Sequence, residues 1–447
     1  MRIIVIGAGT SGLYAALVLA RAGHDVVVVE KDAQPPEVAG DDLSTWHRRG
    51  TPQAHLPHGF VGRGRALLAS RAPDVLRAVL DAGAVDFDLA ACAPAGPSEP
   101  GDEELKILFA RRPLLESALW RAAEREPTIE LRARTTVTGV ASGTVATDRG
   151  ELRAELVIDA SGRRSPVAKW LGTPAPLVEE CGIVYYSRYY RLRAGAELPP
   201  SRWLWGPRAE LPFALALVHL AERGIHSITI ATPTFDAELK CLRESASFTA
   251  LCRFLPAFAP WADAARFEPI GDVLAMGGIQ NVLRERAHAP RVIAIGDALC
   301  HTNAAYGWGM SLGMDHATAL ADTLDEVRSL DDVGTAYHAR VDPEARARWE
   351  LSTQQDRTRV RAWRGEPPAR DDQRAAAMRA VAPAAMVDPH VFRVVMKVSS
   401  LLASADVLLD AELQARARAA LAKTPPPAPP APPSRDDALA AILGASA

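Results

Sequence analysis

The sequence predicts an α/β protein with a Rossmann-type nucleotide-binding domain, an antiparallel β-sheet domain and a helical C-terminal extension. Three observations predict it. Residues 2–31 read strand, glycine turn, helix, strand, with Gly7-Ala8-Gly9-Thr10-Ser11-Gly12 at the turn and Glu30 closing the unit. Two more apolar runs, 156–158 and 292–295, end in small or acidic turns, Asp159-Ala160-Ser161-Gly162 and Gly296-Asp297-Ala298. Strands of a parallel sheet end this way where they meet a ligand. The pattern turns to β between about 174 and 285, then becomes helical and rich in Ala and Arg after Met310.

The 447 residues suffice for two domains sharing a core, plus an extension. The expected nucleotide-binding domain is discontinuous, 1–173 and 286–330, with 52–110 contributing partly to the substrate side. A substrate-binding sheet over 174–285, a helical region over 331–422 and a Pro-rich tail over 423–447 complete the division. Hydrophobic residues make up 48% and charged residues 23%, the balance of an ordinary globular chain. A net charge of -3, with arginines interleaved among acids, leaves no basic stripe for a nucleic acid. Five scattered cysteines (Cys92, Cys181, Cys241, Cys252, Cys300) lack paired or zinc-like spacing and read as free thiols in a reducing cytoplasm. The apolar N-terminus reads as a strand rather than a signal peptide, and no run of about 18 apolar residues predicts a transmembrane segment. The expected location is cytoplasmic.

Taken in order, 2–6 is the first strand, 12–22 a helix ended by Gly23, and 25–30 the second strand. The Pro-, Gly- and His-rich stretch 35–62 is a loop. Residues 63–83 carry one apolar helical face (Leu67, Leu68, Val75, Leu76, Val79, Leu80), and 112–124 form a helix with Pro113 in its first turn. Short strands follow at 129–132, 135–141, 143–148 and 155–158, and 182–193 and 227–232 are the clearest later ones. Helices fill 310–422, Pro425-Pro426-Pro427 opens a stiff tract, and 435–445 form a short terminal helix.

The glycines have separate tasks. Gly7 permits the tight turn, Gly9 lets backbone approach a pyrophosphate, and Gly12 lets helix pack on strand. Thr10 and Ser11 open the helix whose N-terminus favours that anion. Glu30, with Lys31 beside it, is placed to accept both ribose hydroxyls, which favours FAD or NAD over NADP. Asp297, after Gly296, is the acceptor for a flavin ribityl hydroxyl, a helix cap, or both. Gly307, Gly309 and Met310 bring a helix N-terminus to the flavin pyrimidine edge, where N–H donors stabilise the charge of reduced flavin. Trp308 reads equally as a pocket wall or a core aromatic, with Tyr306 close by, while His58 sits in a loop that edges the same pocket. Asp159 and Gly162 close the cofactor loop or form a plain turn, with Arg163 and Arg164 available to an anion. No metal-spaced His/Cys/Glu set, phosphate loop or nucleophile elbow supplies a rival chemistry.

Together these residues resemble the FAD-dependent monooxygenases of the aromatic-hydroxylase superfamily, and within it the squalene-epoxidase-like and polyether-epoxidase-like branch. The resemblance covers about residues 1–330. It rests on the Gly7–Gly12 turn, Pro52-Gln53 with His55 and His58, Arg112-Pro113-Leu114-Leu115-Glu116, Asp159-Ala160-Ser161-Gly162, 184–190 and Gly296-Asp297. It implies a para-hydroxybenzoate-hydroxylase-like fold, with Arg112 on FAD and Val137 near its adenine. It also implies that reduced FAD captures O2 as a C4a-hydroperoxide and passes one oxygen to a hydrophobic small molecule by hydroxylation or epoxidation, in specialised metabolism. NAD(P)H is the implied reductant, acting directly or through a separate flavin reductase. Two departures stand out: the family's Asn-Pro-x-Tyr-Gly-Gln-Gly-Met has Ala304 for its proline and Trp308 for its glutamine. They keep open a reductase or dehydrogenase of the same fold, or a non-catalytic flavoprotein. A flavin-dependent halogenase is disfavoured because Trp203-Leu204-Trp205 lacks the pattern of that group.

Overall fold

The computed structural model describes residues 1–36, 43, 46, 48, 50–51, 53–200, 207–284, 291–367, 373–425 and 431–444. Pro52, Trp203-Leu204-Trp205 and Pro426-Pro427 fall outside the described residues. The strands that matter for the site are, in chain order, β1 (Arg2–Ile6), β2 (Asp25–Val29), β3 (Ile129–Arg132), β4 (Leu156–Asp159), β5 (Ile183–Leu192), β6 (Arg208–Glu210), β7 (Leu215–Leu220), β8 (Ile225–Pro233), β9 (Phe267–Met276) and β10 (Val292–Ala294). The helices are α1 (Thr10–Arg21), α2 (Arg112–Arg125), α3 (Ser245–Phe254), α4 (Gly309–Glu326), α5 (Leu330–Trp363) and α6 (Arg435–Gly444).

The first sheet has the order β10-β4-β1-β2-β3 and every pair in it is parallel. Its central strands are Val/Ile runs because both faces are covered. Ile3 and Val5 point into a core shared with α1, α2 and α4, while Ile4 and Ile6 point into a second core with Val140 and Val145. Those two valines belong to a three-stranded ribbon, Val137–Ala141, Thr144–Thr147 and Gly150–Arg153, laid across the other face. Each fully buried Val, Leu or Ile contributes about 1.5–3 kcal/mol, so this doubly covered sheet is the rigid base of the molecule.

The second sheet has the order β6-β7-β8-β5-β9 and is antiparallel throughout. Strand alternation divides its side chains. Tyr186, Tyr190, Ala216, Val218, Ile228 and Ile230 face away, into a core closed by α3 and α6. Tyr185, Leu215, Leu217 and Ala231 face the first sheet's side and pack with Ala305 and Trp363.

Helix α5 runs 34 residues, roughly 50 Å at 1.5 Å per residue. Near its start Tyr337 donates from its hydroxyl to Ala294 O of β10 at 3.1 Å, and Asp331 pairs with Arg291 at 3.0 Å. Near its end Arg357 Nε donates to Glu179 at 2.6 Å, and Trp363 Nε1 donates to Leu211 O at 3.3 Å.

Several elements differ from expectation for identifiable reasons. The predicted helix over 63–83 is two helices, Gly62–Arg71 and Pro73–Asp81, because Pro73 disfavours helix at the residue before it and starts a new one. Gly150–Arg153 is a strand too short to show alternation, and Ser245–Phe254 is a helix inside the stretch expected to be β, with Phe248, Leu251, Cys252 and Leu255 at helical spacing on its buried side. Within the expected tail, α6 docks through buried Ala438 and Ile442, and Arg435 binds Asp236 and Glu238. Among the described residues no helix is long and apolar enough to cross a membrane, and no His/Cys/Asp/Glu group suits a metal ion. All five cysteines are unpaired thiols.

Candidate functional site

At the end of β1 the chain turns sharply into α1. A Cβ on Gly12 would stand 1.9 Å from Gly7 O, and one on Gly7, whose φ is +102°, would stand 2.7 Å from Ala160 O. Strand, helix and the 160–162 loop therefore meet backbone to backbone. Replacing Gly12 with Ala is expected to cost about 3 kcal/mol or more through forced backbone movement. Urea unfolding and retention of bound flavin on gel filtration check this; an unchanged midpoint would contradict the close packing.

Gly9 differs from these two, because it lines the cavity at the mouth of α1 and its would-be Cβ meets only side chains at ordinary contact, the Arg112 guanidinium at 3.5 Å. The first-turn N–H groups of a helix have no intrahelical acceptor and attract anions. One of them is already used: Thr10 N–H donates to Glu116 Oε1 at 3.0 Å.

Glu116 anchors a buried charge cluster that gathers the site's cations. It accepts from Arg112 Nε at 2.8 Å and from Arg48 at 2.6 Å. Burial opposes its charge, but the Arg112 and Arg48 guanidiniums hold its carboxyl down at about 2. The other arm of Arg48 donates to Glu30 Oε2 at 2.8 Å. Glu30 also accepts from Ala8 N–H at 2.7 Å and Asp32 N–H at 2.9 Å. A carboxylate offers about four lone-pair positions, so three filled positions leave Glu30 room for one ribose hydroxyl, where two were expected. Neither Arg48 nor the part played by Glu116 was anticipated. Arg48 lies in an irregular stretch with no periodicity to flag it, whereas the i,i+4 spacing of Arg112 and Glu116 was available as a signal.

At the end of β4 the Asp159 carboxylate turns inward. It accepts from Ser161 N–H at 3.0 Å and from the hydroxyls of Ser161 and Ser165, both at 2.5 Å, and burial raises its pKa. It shapes the loop without lining the cavity, whereas Gly162 does line it. Gly296, with φ +57°, is likewise structural: its N–H donates to His316 Nδ1 at 3.1 Å. Asp297, next in the chain, does face the cavity, and Gly309 at the start of α4 lies close enough that its Cβ would be 3.4 Å from Asp297 Oδ1.

The 303–310 segment divides its side chains between cavity and core. Trp308 is 6% exposed, stacks on Tyr306 at 4.9 Å and donates from Nε1 to Ser399 O at 3.3 Å, leaving one edge on the cavity. Tyr306 does not reach the cavity: its hydroxyl donates to Asp356 of α5 at 3.0 Å and accepts from Arg359 at 3.0 Å. Asn303 Nδ2 donates to the same Asp356 at 2.7 Å, Asn281 Nδ2 donates to it at 2.8 Å, and the Tyr185 hydroxyl of β5 donates to Asn303. One buried carboxylate on α5 thus ties the segment to the strand Gln280–Leu283 and, through Asn303, to the antiparallel sheet. Thr302 and Ala304 join Gly307, Gly309 and Met310 in lining the cavity.

The cavity has two joined chambers, of about 400 Å³ and about 140 Å³. Glu30, Lys31, Arg48 and Val137 line the larger, and Thr10, Ser11, His58, Met276 and the start of α4 line the smaller. Gly9, Arg112, Gly162 and Asp297 line both. Met276 and Ile279 bring the end of the antiparallel sheet over the smaller chamber. There His58 Nδ1 bonds Leu56 O at 2.7 Å; burial, then the Arg112 guanidinium, push its pKa down to about 3. Since a carbonyl only accepts, Nδ1 carries the proton and Nε2 is left as an acceptor.

Comparison with known proteins fits this geometry. Residues 2–160 match the family described as FAD dependent oxidoreductase. The D-amino acid dehydrogenase of Cereibacter sphaeroides is 30% identical over 197 residues, 41% of this chain and 40% of that protein. The chain thus spans about two fifths of the length of the curated relatives it matches. Among solved structures, PqsL, a probable FAD-dependent monooxygenase from Pseudomonas aeruginosa, superposes with a TM-score of 0.61 at 19% identity, over 82% of this chain and 98% of that one. The fold is that FAD-binding fold. The flavin-dependent brominase Bmp2 shares it (TM-score 0.62, 14% identity, 95% of this chain and 99% of that one). So does the OxyS anhydrotetracycline hydroxylase from Streptomyces rimosus (TM-score 0.59, 19% identity, 90% and 76%).

Proposed function

We propose that this chain is an FAD-dependent monooxygenase that transfers one oxygen atom from O2 to a hydrophobic small molecule by hydroxylation or epoxidation. The observation that carries this reading is the two-chambered cavity, which runs from Glu30 and Val137, past Gly9, Arg112 and Asp297, to the start of α4 beneath the antiparallel sheet.

The lining fits FAD in charge as well as shape. Glu30 offers one acceptor to the adenosine ribose, and Val137 an apolar wall to the adenine. Arg112 and the first turn of α1 meet the pyrophosphate. Asp297 meets the ribityl chain, and the first N–H groups of α4 meet the pyrimidine edge, where the helix dipole favours negative charge. FAD bound there supplies the redox chemistry with O2 and with a nicotinamide or flavin-reductase donor. The protein's own part is to orient substrate under Met276 and Ile279 and to exclude water. The resemblance at 184–190 and Gly296-Asp297 favours the epoxidase-like branch and, with it, a place in specialised metabolism, whereas Ala304 and Trp308 depart from the family's motif. A dehydrogenase of the same fold is the second reading, favoured by the D-amino acid dehydrogenase relatives.

Anaerobic mixing of the FAD-loaded protein with NADH and then NADPH, followed by admission of O2, tests the proposal. The expected result is flavin bleaching, directly or on adding a flavin reductase, then recolouring with O2 uptake. Bleaching without O2-dependent recolouring identifies the dehydrogenase; failure to retain FAD removes both readings.

A further inference from the structure

Where the two chambers join, the wall carries a pair of acceptors with nothing between them. Asp297 lines both chambers, and His301 lines the smaller. The short strand Cys300–His301 pairs with Gln280–Leu283 and so fixes where the ring stands. Its Nδ1 bonds Gln280 O at 2.7 Å. A carbonyl only accepts, so Nδ1 carries the proton, and Nε2 of the neutral ring is an acceptor. That Nε2 stands 3.9 Å from Asp297 Oδ2, beyond hydrogen-bond reach. Among the described residues neither the Asp297 carboxylate nor His301 Nε2 meets a hydrogen-bond donor. Two acceptors this close repel unless donors come between them, so the arrangement is complete only when the cavity is filled. Thr302, the next residue, gives a second sign. It lines the same chamber, is 4% exposed, and its buried hydroxyl has no partner.

The order of groups along the wall says what chemistry fills it. Asp297 stands at the junction with Gly9 and Arg112, the groups suited to a pyrophosphate. His301 stands in the smaller chamber with the start of α4, suited to a pyrimidine edge. The pair therefore spans the step from phosphate to ring. In a flavin dinucleotide a ribityl chain makes that step, an uncharged polyol with hydroxyls on neighbouring carbons. Each hydroxyl donates one proton, and acceptors 3.9 Å apart can be met by two neighbours, one to each.

We propose that His301 is a flavin-binding residue whose Nε2 accepts from the ribityl hydroxyl next to the one held by Asp297. This rests on the reading of the cavity as an FAD site. A neutral acceptor gives the polyol a second hold without setting a second negative charge beside a flavin that gains charge on reduction.

Titration of the flavin-free protein with FAD, in mildly alkaline buffer and read by flavin fluorescence, tests this with two variants that separate the ring's nitrogens. His301→Asn puts an amide N–H where Nδ1 was, which keeps the Gln280 bond, and has nothing in the place of Nε2. His301→Gln reaches that place with its amide oxygen and gives up the Gln280 bond. FAD is expected to bind about five- to tenfold more weakly to His301→Asn and within about threefold of the parent to His301→Gln. In the parent, riboflavin is expected to displace FAD at least about tenfold more effectively than lumiflavin, which lacks the ribityl chain, and His301→Asn to narrow that margin at least about threefold. His301→Phe, which keeps the ring volume and has neither nitrogen, is read for the same losses if His301→Asn does not fold. A ring that serves only to anchor the strand gives the reverse order, with Asn tolerated and Gln not, and overturns the proposal. So does equal FAD affinity in all the variants, the result if only water bridges the pair, or equal displacement by the two flavins. Failure of the parent to bind FAD overturns the FAD reading itself, whereas tight binding indifferent to position 301 overturns only the role of His301.

Discussion

Replacing Asp356 with alanine is expected to destabilise the protein by about 3–5 kcal/mol and to lower its flavin content. Asp356 is 1% exposed and accepts from the Asn281 and Asn303 amides, the Tyr306 hydroxyl and the Arg359 guanidinium. Removing the acceptor leaves a guanidinium and three neutral donors with too few partners, and breaking a buried charged network by deleting one member costs this much. Asn303 and Tyr306 belong to the segment that leads into α4, so the loss spreads to the proposed flavin edge. Asp356→Asn keeps the shape and, with its amide nitrogen in the Oδ2 position, an acceptor for Asn303, Tyr306 and Arg359, but it aims a donor at that of Asn281 and recovers only part of the loss. The urea midpoint and the flavin-to-protein absorbance ratio measure both effects. A variant within about 1 kcal/mol of the parent would show that the network is dispensable.

A second large effect is expected with pH. Burial pushes His58 down to about 3 and His219, His226 and His316 down to about 4. In the unfolded chain these imidazoles take up protons near pH 6.5. Between about pH 6.5 and 4 the unfolded state therefore binds more protons, and stability falls as pH falls. Each such group contributes up to about 1.4 kcal/mol per pH unit, so four give at most roughly 5.6 kcal/mol per pH unit. His226 and His316, almost wholly enclosed, carry the larger part. Glu116 adds to the loss further down: its folded pKa is depressed to about 2, so the stability it confers is complete above about 4.5 and disappears as pH falls toward 2. Urea titrations at pH 7.5, 6 and 5 should show a steep decline, with two to four protons taken up on unfolding near pH 5. A midpoint constant across that range would contradict the burial of these imidazoles.

How much was legible from sequence depended on the range over which each feature is determined. The turn at Gly7, Gly9 and Gly12, the parallel strands and the cavity-facing place of Asp297 are set by neighbours in the chain, and they were readable. The alternation along β5 and β8 was readable too, and the spacing of Phe248, Leu251, Cys252 and Leu255 offered a signal for the helix Ser245–Phe254 in a stretch expected to be β. Tyr306 and Trp308 could not be oriented from the sequence, because the groups that turn them, Asp356, Arg359 and the Ser399 carbonyl, lie about 50 to 90 residues away. Arg48 escaped notice for a related reason: its meaning comes from two carboxylates, Glu30 and Glu116, that only the fold brings together.

A rod braced at both ends resists hinge opening. Helix α5 is bonded to β10 near one end through Tyr337 and to Leu211, beside the antiparallel sheet, near the other through Trp363, so swinging the two sheets apart means breaking one of these bonds or bending the helix, most easily at Pro343. The frame is stiff and the doorway must be small. Traffic to the smaller chamber falls to short pieces such as 53–59, held largely by local turns of the chain. Such a molecule admits ligands by yielding at its rim, and the spacing between its two facing walls stays fixed while it does so.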